Sequence, residues 1–257
     1  MSLTKVQLFG LEFISAASVA EVAEYVIADR ANSRHNDFVV TPNAHMMVSY
    51  AEPRYHYIRD FYSGAAYILP DGMPIVWLGR MKGRKLESRL TGSDLFPELW
   101  KRLKQKNIPV TFILPWEEMT AMFRNDYANC NSLVPKFFDA GDTSYIAEFV
   151  REACDAIMSN GSQYVFLGLS FPKQELMAME IDKELRNRRY EKGVLFLLLG
   201  ASYEFYSGLK KRAPAFYRKT GLEWLYRFMQ EPGRMWKRYT VGNMKFVALA
   251  IKELLKK

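Results

Sequence analysis

Short apolar runs alternate with amphipathic stretches of helix length from residue 38 onward. The runs predict strands, and the stretches between them carry apolar residues at helical spacing. The predicted strands are Phe38–Thr41, Ala66–Leu69, Val110–Leu114, Val134–Phe138, Tyr164–Leu167 and Val194–Leu199. The predicted helices are Ser18–Ala31, Met73–Met81, Ser93–Lys106, Glu117–Ala128, Thr143–Met158 and Pro172–Arg188. This alternation predicts an α/β fold in which helices cover both faces of a mostly parallel sheet.

The pattern changes after Gly200, where strand signals stop and aromatic residues interleave with basic ones. Positions 209–257 hold 13 Lys or Arg and three Glu, whereas the first 208 positions hold 23 basic and 25 acidic residues. The net charge of +8 therefore belongs to the C-terminal segment. Such a segment suits anionic lipid or a nucleic-acid backbone, and a helical bundle with an aromatic core and a solvated basic face explains it equally well. We divide the chain into a core, 1–203, and an appendage, 204–257.

Composition narrows the class of protein and its compartment. The chain has 257 residues, of which 49% are hydrophobic and 25% charged, and this suffices for a globular core. Cys130 and Cys154 form no CxxC pair, which favours a reducing cytosol over a disulfide framework or a zinc site. The longest strongly apolar run, Val194–Leu199, is far shorter than the roughly 20 residues of a membrane-spanning helix. If the protein works at a membrane, we expect it to lie on the surface.

Polar residues that follow the predicted strands are the first candidates for chemistry, because ligands of parallel α/β sheets bind beyond the carboxyl ends of strands. Thr41 and Asn43 follow one strand, and Asp71 follows the next. Asp71 would lie between a strand end and a helix start, a place that suits a general base. A Pro-Asp-Gly turn and ordinary helix capping explain the same positions without any catalytic role.

Several common motifs are missing from the sequence. It contains no GxGxxG after a strand, no GxxxxGK[ST] and no GxSxG, which argues against the usual dinucleotide, P-loop and hydrolase classes. It also contains no Asp-x-Asp, the metal–diphosphate clamp of many sugar transferases. A departing nucleotide diphosphate would then be stabilised by cationic side chains or helix N-termini.

Six sequence strings together resemble the WecG/TagA/CpsF glycosyltransferase family, also called glycosyltransferase family 26. They are TPNAHM at 41–46, LPDGMPIVW at 69–77, RLTGSDLFP at 89–97, GLSFPKQE at 168–175, KRAP at 211–214 and GLEWLYRFMQEPGRMWKRY at 221–239. The resemblance implies a Rossmann-like core and a C-terminal helical appendage that packs over the active site at the membrane. It implies inverting transfer, without metal or cofactor, from a UDP-sugar to a polyprenyl-diphosphate-linked saccharide in cell-envelope or exopolysaccharide biosynthesis.

The same resemblance assigns roles to individual residues. Asp71 becomes the catalytic base, and the residues that position the sugars are Thr41, Asn43, Arg89 and Gln174. The basic residues of the appendage that would meet diphosphate are Arg227, Arg234 and Lys237. Position 237 departs from the family, which has Arg there. Lys237 keeps the positive charge but cannot form the two parallel hydrogen bonds that an Arg guanidinium donates to a phosphate.

Two further departures concern the donor nucleotide. The family has a Gly-Gly turn after the third core strand, where this chain reads Leu114-Pro115-Trp116-Glu117, which is bulkier and lacks the close approach that glycine permits. Glu204, in GASYEFYSG, replaces the Asp that the family uses to contact the nucleotide. Glu204 is therefore the nucleotide-binding candidate of this chain.

Three functions remain to be compared. The first is the glycosyltransferase, attached to anionic lipid on the inner face of the cytoplasmic membrane and without a nucleic-acid partner. A second is a catalytically silent membrane-associated subunit of a polysaccharide assembly complex, which would show no transfer. A third is a nucleic-acid-binding protein, whose affinity for DNA or RNA would depend on salt. The state of association stays open, including a homo-oligomer.

Overall fold

The computed structural model describes residues 3–31, 33–136, 143–214, 216–217, 223–230 and 232–256. Within these residues, eight strands form one sheet: β1 Thr4–Leu8, β2 Leu11–Ser15, β3 Asp37–Val40, β4 Tyr67–Ile68, β5 Val110–Ile113, β6 Cys130–Leu133, β7 Tyr164–Leu167 and β8 Leu195–Leu198. Their order is β1-β2-β4-β3-β8-β7-β5-β6. The hairpin β1–β2 is antiparallel, and all other neighbours are parallel. The predicted α/β fold with a mostly parallel sheet is confirmed.

Helices cover both faces of the sheet. They are α1 Val19–Arg30, α2 Ala44–Tyr50, α3 His56–Ser63, α4 Met73–Met81, α5 Gly92–Gln105, α6 Glu117–Asp126, α7 Thr143–Asn160, α8 Lys173–Asn187, α9 Ser202–Tyr206, α10 Glu223–Gln230 and α11 Pro232–Leu255. Alternate strand residues enter different apolar clusters, because side chains of a strand point to opposite faces. In β8, Phe196 belongs to the cluster that includes residues of α2, α3, α7 and α8, whereas Leu197 belongs to the cluster that includes residues of α1, α5, α6 and α9.

One predicted strand is wrong. The sequence predicts a strand at Val134–Phe138, but the strand lies at Cys130–Leu133. The positions from 137 to 142 fall outside the described residues. Among the described residues β6 pairs only with β5 and lies at the edge of the sheet. An edge strand can be polar, and the sequence CNSL gives little apolar signal. The other five strands and the six helices are confirmed, with ends that differ by at most two residues.

The hairpin β1–β2 and the helices α2 and α3 were not predicted. In β1, Val6 and Leu8 are buried while Lys5 and Gln7 are exposed. The strands are joined through Phe9 and Gly10, whose φ angles of 57° and 79° give the left-handed backbone typical of two-residue hairpin turns. This hairpin extends the sheet on the side of β4.

The last helix packs against the core. Phe246 is buried, and its ring centroid lies 6.2 Å from that of Phe9. The ammonium of Lys82, just after α4, pairs with Glu253 Oε1 at 2.9 Å. The end of α11 is thus part of the same apolar core as α2 and α4, and the division at 203/204 stays a prediction. Within the described residues, no helix combines the length and apolar character needed to cross a bilayer.

Candidate active site

Three neighbouring strands end side by side at one edge of the sheet. Val40, at the end of β3, lies in register with Ile68 of β4 on one side and with Leu198 of β8 on the other. The alignment continues beyond the strands, because the backbone N–H of Asp71 donates to the carbonyl of Pro42 at 3.2 Å. The polar segments that follow β3, β4 and β8 therefore converge at one carboxyl edge, where ligands of such sheets bind.

Thr41 and Asn43 lie in the turn after β3. Thr41 is buried and Asn43 is partly exposed. The Oδ1 atom of Asn43 accepts hydrogen bonds from the backbone N–H groups of His45 and Met46 at 3.1 and 3.2 Å, which satisfies two donors at the start of α2. Asn43 therefore caps α2. Because its Oδ1 is used in the cap, its amide nitrogen is the atom that would contact a substrate.

Asp71 lies between β4 and α4 and is partly exposed. The next residue, Gly72, has φ of 127°, a conformation that residues with a side chain rarely adopt. The backbone N–H of Leu90 donates to the carbonyl of Pro70 at 3.1 Å, so the segment that carries Arg89 runs beside this turn. A carboxylate and a guanidinium thus share the same edge.

Two arginines from distant parts of the chain meet at Asp94. Asp94 Oδ2 lies 3.8 Å from a guanidinium nitrogen of Arg89, and Oδ1 lies 2.8 Å from one of Arg212. Arg212 also donates to the carbonyl of Ser93 at 3.3 Å. Burial opposes ionisation of Asp94, but the hydrogen bond from Thr91 and the charges of Arg212 and Arg89 outweigh it, so the pKa of Asp94 lies below its usual value. The string KRAP contains Arg212, but sequence reasoning did not place that residue in the site.

The start of α5 packs closely against the turn after β8. A Cβ atom on Gly92 would lie 2.8 Å from Ser202 Oγ and 3.1 Å from Leu199 Cβ, so only glycine allows this approach. Thr91 Oγ1 caps α5 by accepting from the N–H of Asp94 at 3.1 Å. Since α4, α5 and α8 all begin at this edge, their N-terminal N–H groups add to an environment that favours anions.

Gln174 is buried, and both ends of its amide bond to the protein. Its Oε1 accepts from the backbone N–H of Gly200 at 3.2 Å, and its Nε2 donates to Glu175 Oε1 at 3.0 Å. Gln174 therefore supports the turn after β8. Glu204 lies in the first turn of α9, which follows that turn, and forms an ion pair with Lys210.

Other predicted positions are placed less fully. Arg227 lies in α10, and Arg234 and Lys237 lie in α11, but the side chains of all three fall outside the described residues, so their contact with diphosphate stays a prediction. Trp116 lies between β5 and α6, immediately before α6, and is 54% exposed. In the part of the chain that the structure describes, no cluster of three or more His, Cys, Asp or Glu could hold a metal ion.

Comparison with known proteins identifies the family. Residues 6–257 match the model of the glycosyl transferase WecG/TagA/CpsF family. The chain is 30% identical over 220 residues, 84% of this chain and 79% of the relative, to an N-acetylglucosaminyldiphosphoundecaprenol N-acetyl-beta-D-mannosaminyltransferase of Bacillus spizizenii. A Staphylococcus aureus enzyme of the same name is 26% identical over 252 residues, 98% of this chain and 92% of the relative. The chain therefore belongs to the WecG/TagA/CpsF family and is a glycosyltransferase.

Proposed function

We propose that the protein transfers a sugar, with inversion, from a UDP-sugar to a polyprenyl-diphosphate-linked saccharide, and that Asp71 is the general base. The observation that carries this proposal is the convergence of Asp71, the turn after β3 and the Arg89–Asp94–Arg212 cluster at one carboxyl edge. The names of the two relatives specify an N-acetylglucosaminyl-diphospho-undecaprenol acceptor, which supports this acceptor class. We place the reaction in cell-envelope or exopolysaccharide biosynthesis.

The chemistry is a single displacement. Asp71 accepts the proton of an acceptor hydroxyl as its oxygen attacks the anomeric carbon of the donor. The bond from that carbon to the diphosphate breaks, and its electron pair leaves with the nucleotide. The charge that develops on the diphosphate is offset by Arg227, Arg234 and Lys237, to which we add Arg212 at this edge, and by the helix N-termini. Arg89 helps to position the sugars. Attack opposite to the leaving group inverts the configuration.

An anionic membrane surface is the proposed location, on the inner face of the cytoplasmic membrane. The end of α11 exposes several apolar side chains, which are Met244, Val247, Ile251, Leu254 and Leu255. The neighbouring α4 exposes Trp77 and Met81. Lysines flank the exposed apolar residues of α11, and exposed apolar side chains beside basic ones favour adsorption to anionic lipid.

A transfer assay tests the proposal. The purified full-length protein is incubated with a panel of UDP-sugars and a short-chain lipid-diphosphate-linked N-acetylglucosamine, and products are identified by mass spectrometry and their anomeric configuration by NMR. We expect one donor to yield product with inverted configuration. Retention of configuration would overturn the mechanism. Binding of the acceptor without turnover of any donor would instead favour the silent subunit, and tight salt-dependent binding to DNA without transfer would favour the nucleic-acid-binding protein.

A further inference from the structure

The carboxylate of Asp94, at the start of α5, faces two arginines from different parts of the chain. Its Oδ2 lies 3.8 Å from Arg89, which precedes α5, and its Oδ1 lies 2.8 Å from Arg212, which follows α9. Oδ2 also accepts a hydrogen bond from the hydroxyl of Thr91 at 2.8 Å. In the function proposed above, Arg89 helps to position the sugars and Arg212 meets the diphosphate. The same carboxylate therefore contacts one arginine assigned to each side of the bond that breaks.

The backbone of Asp94 is fixed by contacts that do not involve its carboxylate. Its N–H donates to Thr91 Oγ1 at 3.1 Å, the bond that caps α5. A Cβ atom on Gly92 would lie 2.8 Å from Ser202 Oγ, and Ser93 Oγ lies 3.3 Å from the same atom. The first turn of α5 thus packs tightly against α9. A change confined to the carboxylate leaves this support in place.

Arg212 is held at the edge chiefly by this carboxylate. Its other polar contact among the described residues is weaker, a hydrogen bond to the carbonyl of Ser93 at 3.3 Å, and its Nε is buried without a described partner. The next residue, Ala213, is buried, so the string KRAP meets the core at this point. The side chains of Arg212 and Asp94 are only 22% and 29% exposed, and an ion pair shielded in this way is stronger than one at the open surface.

We propose that Asp94 is a positioning residue of the transfer reaction, which fixes the guanidinium of Arg212 relative to that of Arg89. The inference rests on the function proposed above and deepens it. Asp94 acts through the two arginines and aligns the sugar with the diphosphate before the bond between them breaks. Groups that are already in place stabilise the developing charge without first having to reorganise. Two guanidinium groups and one carboxylate also leave a net charge of +1, which still attracts an anion.

Steady-state kinetics of full-length Asp94→Asn tests this role, with the substrates that the transfer assay identifies. Asn keeps an oxygen for Thr91 but loses the charge that holds the arginines, so we expect kcat to fall about tenfold or more, because small misplacements of reacting groups are costly. The KM for the donor should stay within about twofold, since the loss of one negative charge strengthens attraction of the anionic donor and offsets the lost alignment. The matched control is Glu98→Gln, which removes the ion pair with Arg102 on the same helix and should keep the wild-type kcat.

A double-mutant cycle shows whether Asp94 acts through Arg212. In the Arg212→Ala background the guanidinium is gone, so Asp94→Asn should lower kcat much less than it does in the wild type. Arg212→Lys keeps the charge but loses the paired donors of the guanidinium, and we expect it to lower kcat as well. A contact that only ties this segment to α5 would tolerate Lys. If Asp94→Asn melts too early to be assayed, Asp94→Glu keeps the charge, shifts it by one methylene and should also lower kcat.

Three results would overturn this inference while sugar transfer by the wild type stands. They are equal effects of Asp94→Asn in the two backgrounds, a raised donor KM with unchanged kcat, and wild-type kcat in Arg212→Lys. Failure of the wild type to transfer any sugar would instead overturn the proposed function, and the inference with it.

Discussion

Replacement of Glu175 by Gln is expected to change how the stability of the fold depends on pH. The pKa of this carboxyl is about 7 in the folded protein, against 4.5 for an ordinary Glu. A raised pKa means that the folded state retains the proton longer than the unfolded state, so the free energy of unfolding decreases as pH rises from about 4.5 to 7 and levels off above. Between pH 5 and pH 8 the expected loss is about 2 to 3 kcal/mol, since one pKa unit corresponds to about 1.4 kcal/mol.

Urea denaturation of wild type and Glu175→Gln at pH 5 and pH 8 measures this loss. The variant carries a constant cost for a buried amide N–H, but that cost cancels when its own two pH values are compared. We expect the wild type to lose the stated 2 to 3 kcal/mol relative to the variant, or roughly 5 to 10 °C in Tm for a chain of this size. Parallel pH dependence in the two proteins would show that Glu175 is ionised in the fold at pH 5, which would refute the reasoning.

Glu253 supplies a control of opposite sign. Burial opposes its ionisation, but Lys82 and Lys256 outweigh this, so the pKa of Glu253 lies below its usual value. Its stabilising effect is therefore present above about pH 4.5 and is lost as pH falls. Glu253→Gln should destabilise the protein at pH 7 by about 1 kcal/mol, because the partly exposed Lys82 loses its charged partner. This deficit should shrink in acid.

Three further predictions concern activity and membrane attachment. Asp71→Asn should fold normally and lose about 10²-fold or more of transfer rate, and near-normal turnover would remove Asp71 from the mechanism. Transfer should persist in EDTA, and a loss that Mg²⁺ or Mn²⁺ restores would contradict the assignment of diphosphate stabilisation to basic side chains and helix N-termini. The double variant Val247→Glu, Ile251→Glu should bind anionic liposomes more weakly in a sedimentation assay, whereas Met158→Glu, on α7, should bind as the wild type does. Equal liposome binding by the wild type, the double variant and Met158→Glu would show that the membrane contact does not lie at the end of α11.

The sheet was predictable where its segments are long and strongly periodic. Buried parallel strands such as β7 and β8 are continuous apolar runs, and the helices between them carry apolar residues at helical spacing. β6 was misplaced because an edge strand needs little apolar character. The β1–β2 hairpin was missed although its signal is present, since apolar and polar residues alternate in TKVQL and Gly10 marks the turn.

The sequence predicts only those site residues that directly follow strands of the sheet. Thr41, Asn43 and Asp71 follow neighbouring strands, so the rule for strand ends brings them together. Arg212 forms an ion pair with Asp94, which lies more than a hundred residues earlier in the chain. No local sequence pattern predicts such a contact.

Gln174 shows a different limit of sequence reasoning. A motif shows that a residue matters, but it does not show which atoms its side chain meets. In the structure both ends of the Gln174 amide bond to the protein, one to Glu175 and one to the turn at Gly200. In the string PKQE, Gln174 supports the turn at Gly200 and Glu175 orients Gln174. Contact between Gln174 and a sugar is not needed to explain the string. On this reasoning, the effect of changing Gln174 depends on the protonation of Glu175, because the two side chains share one hydrogen bond.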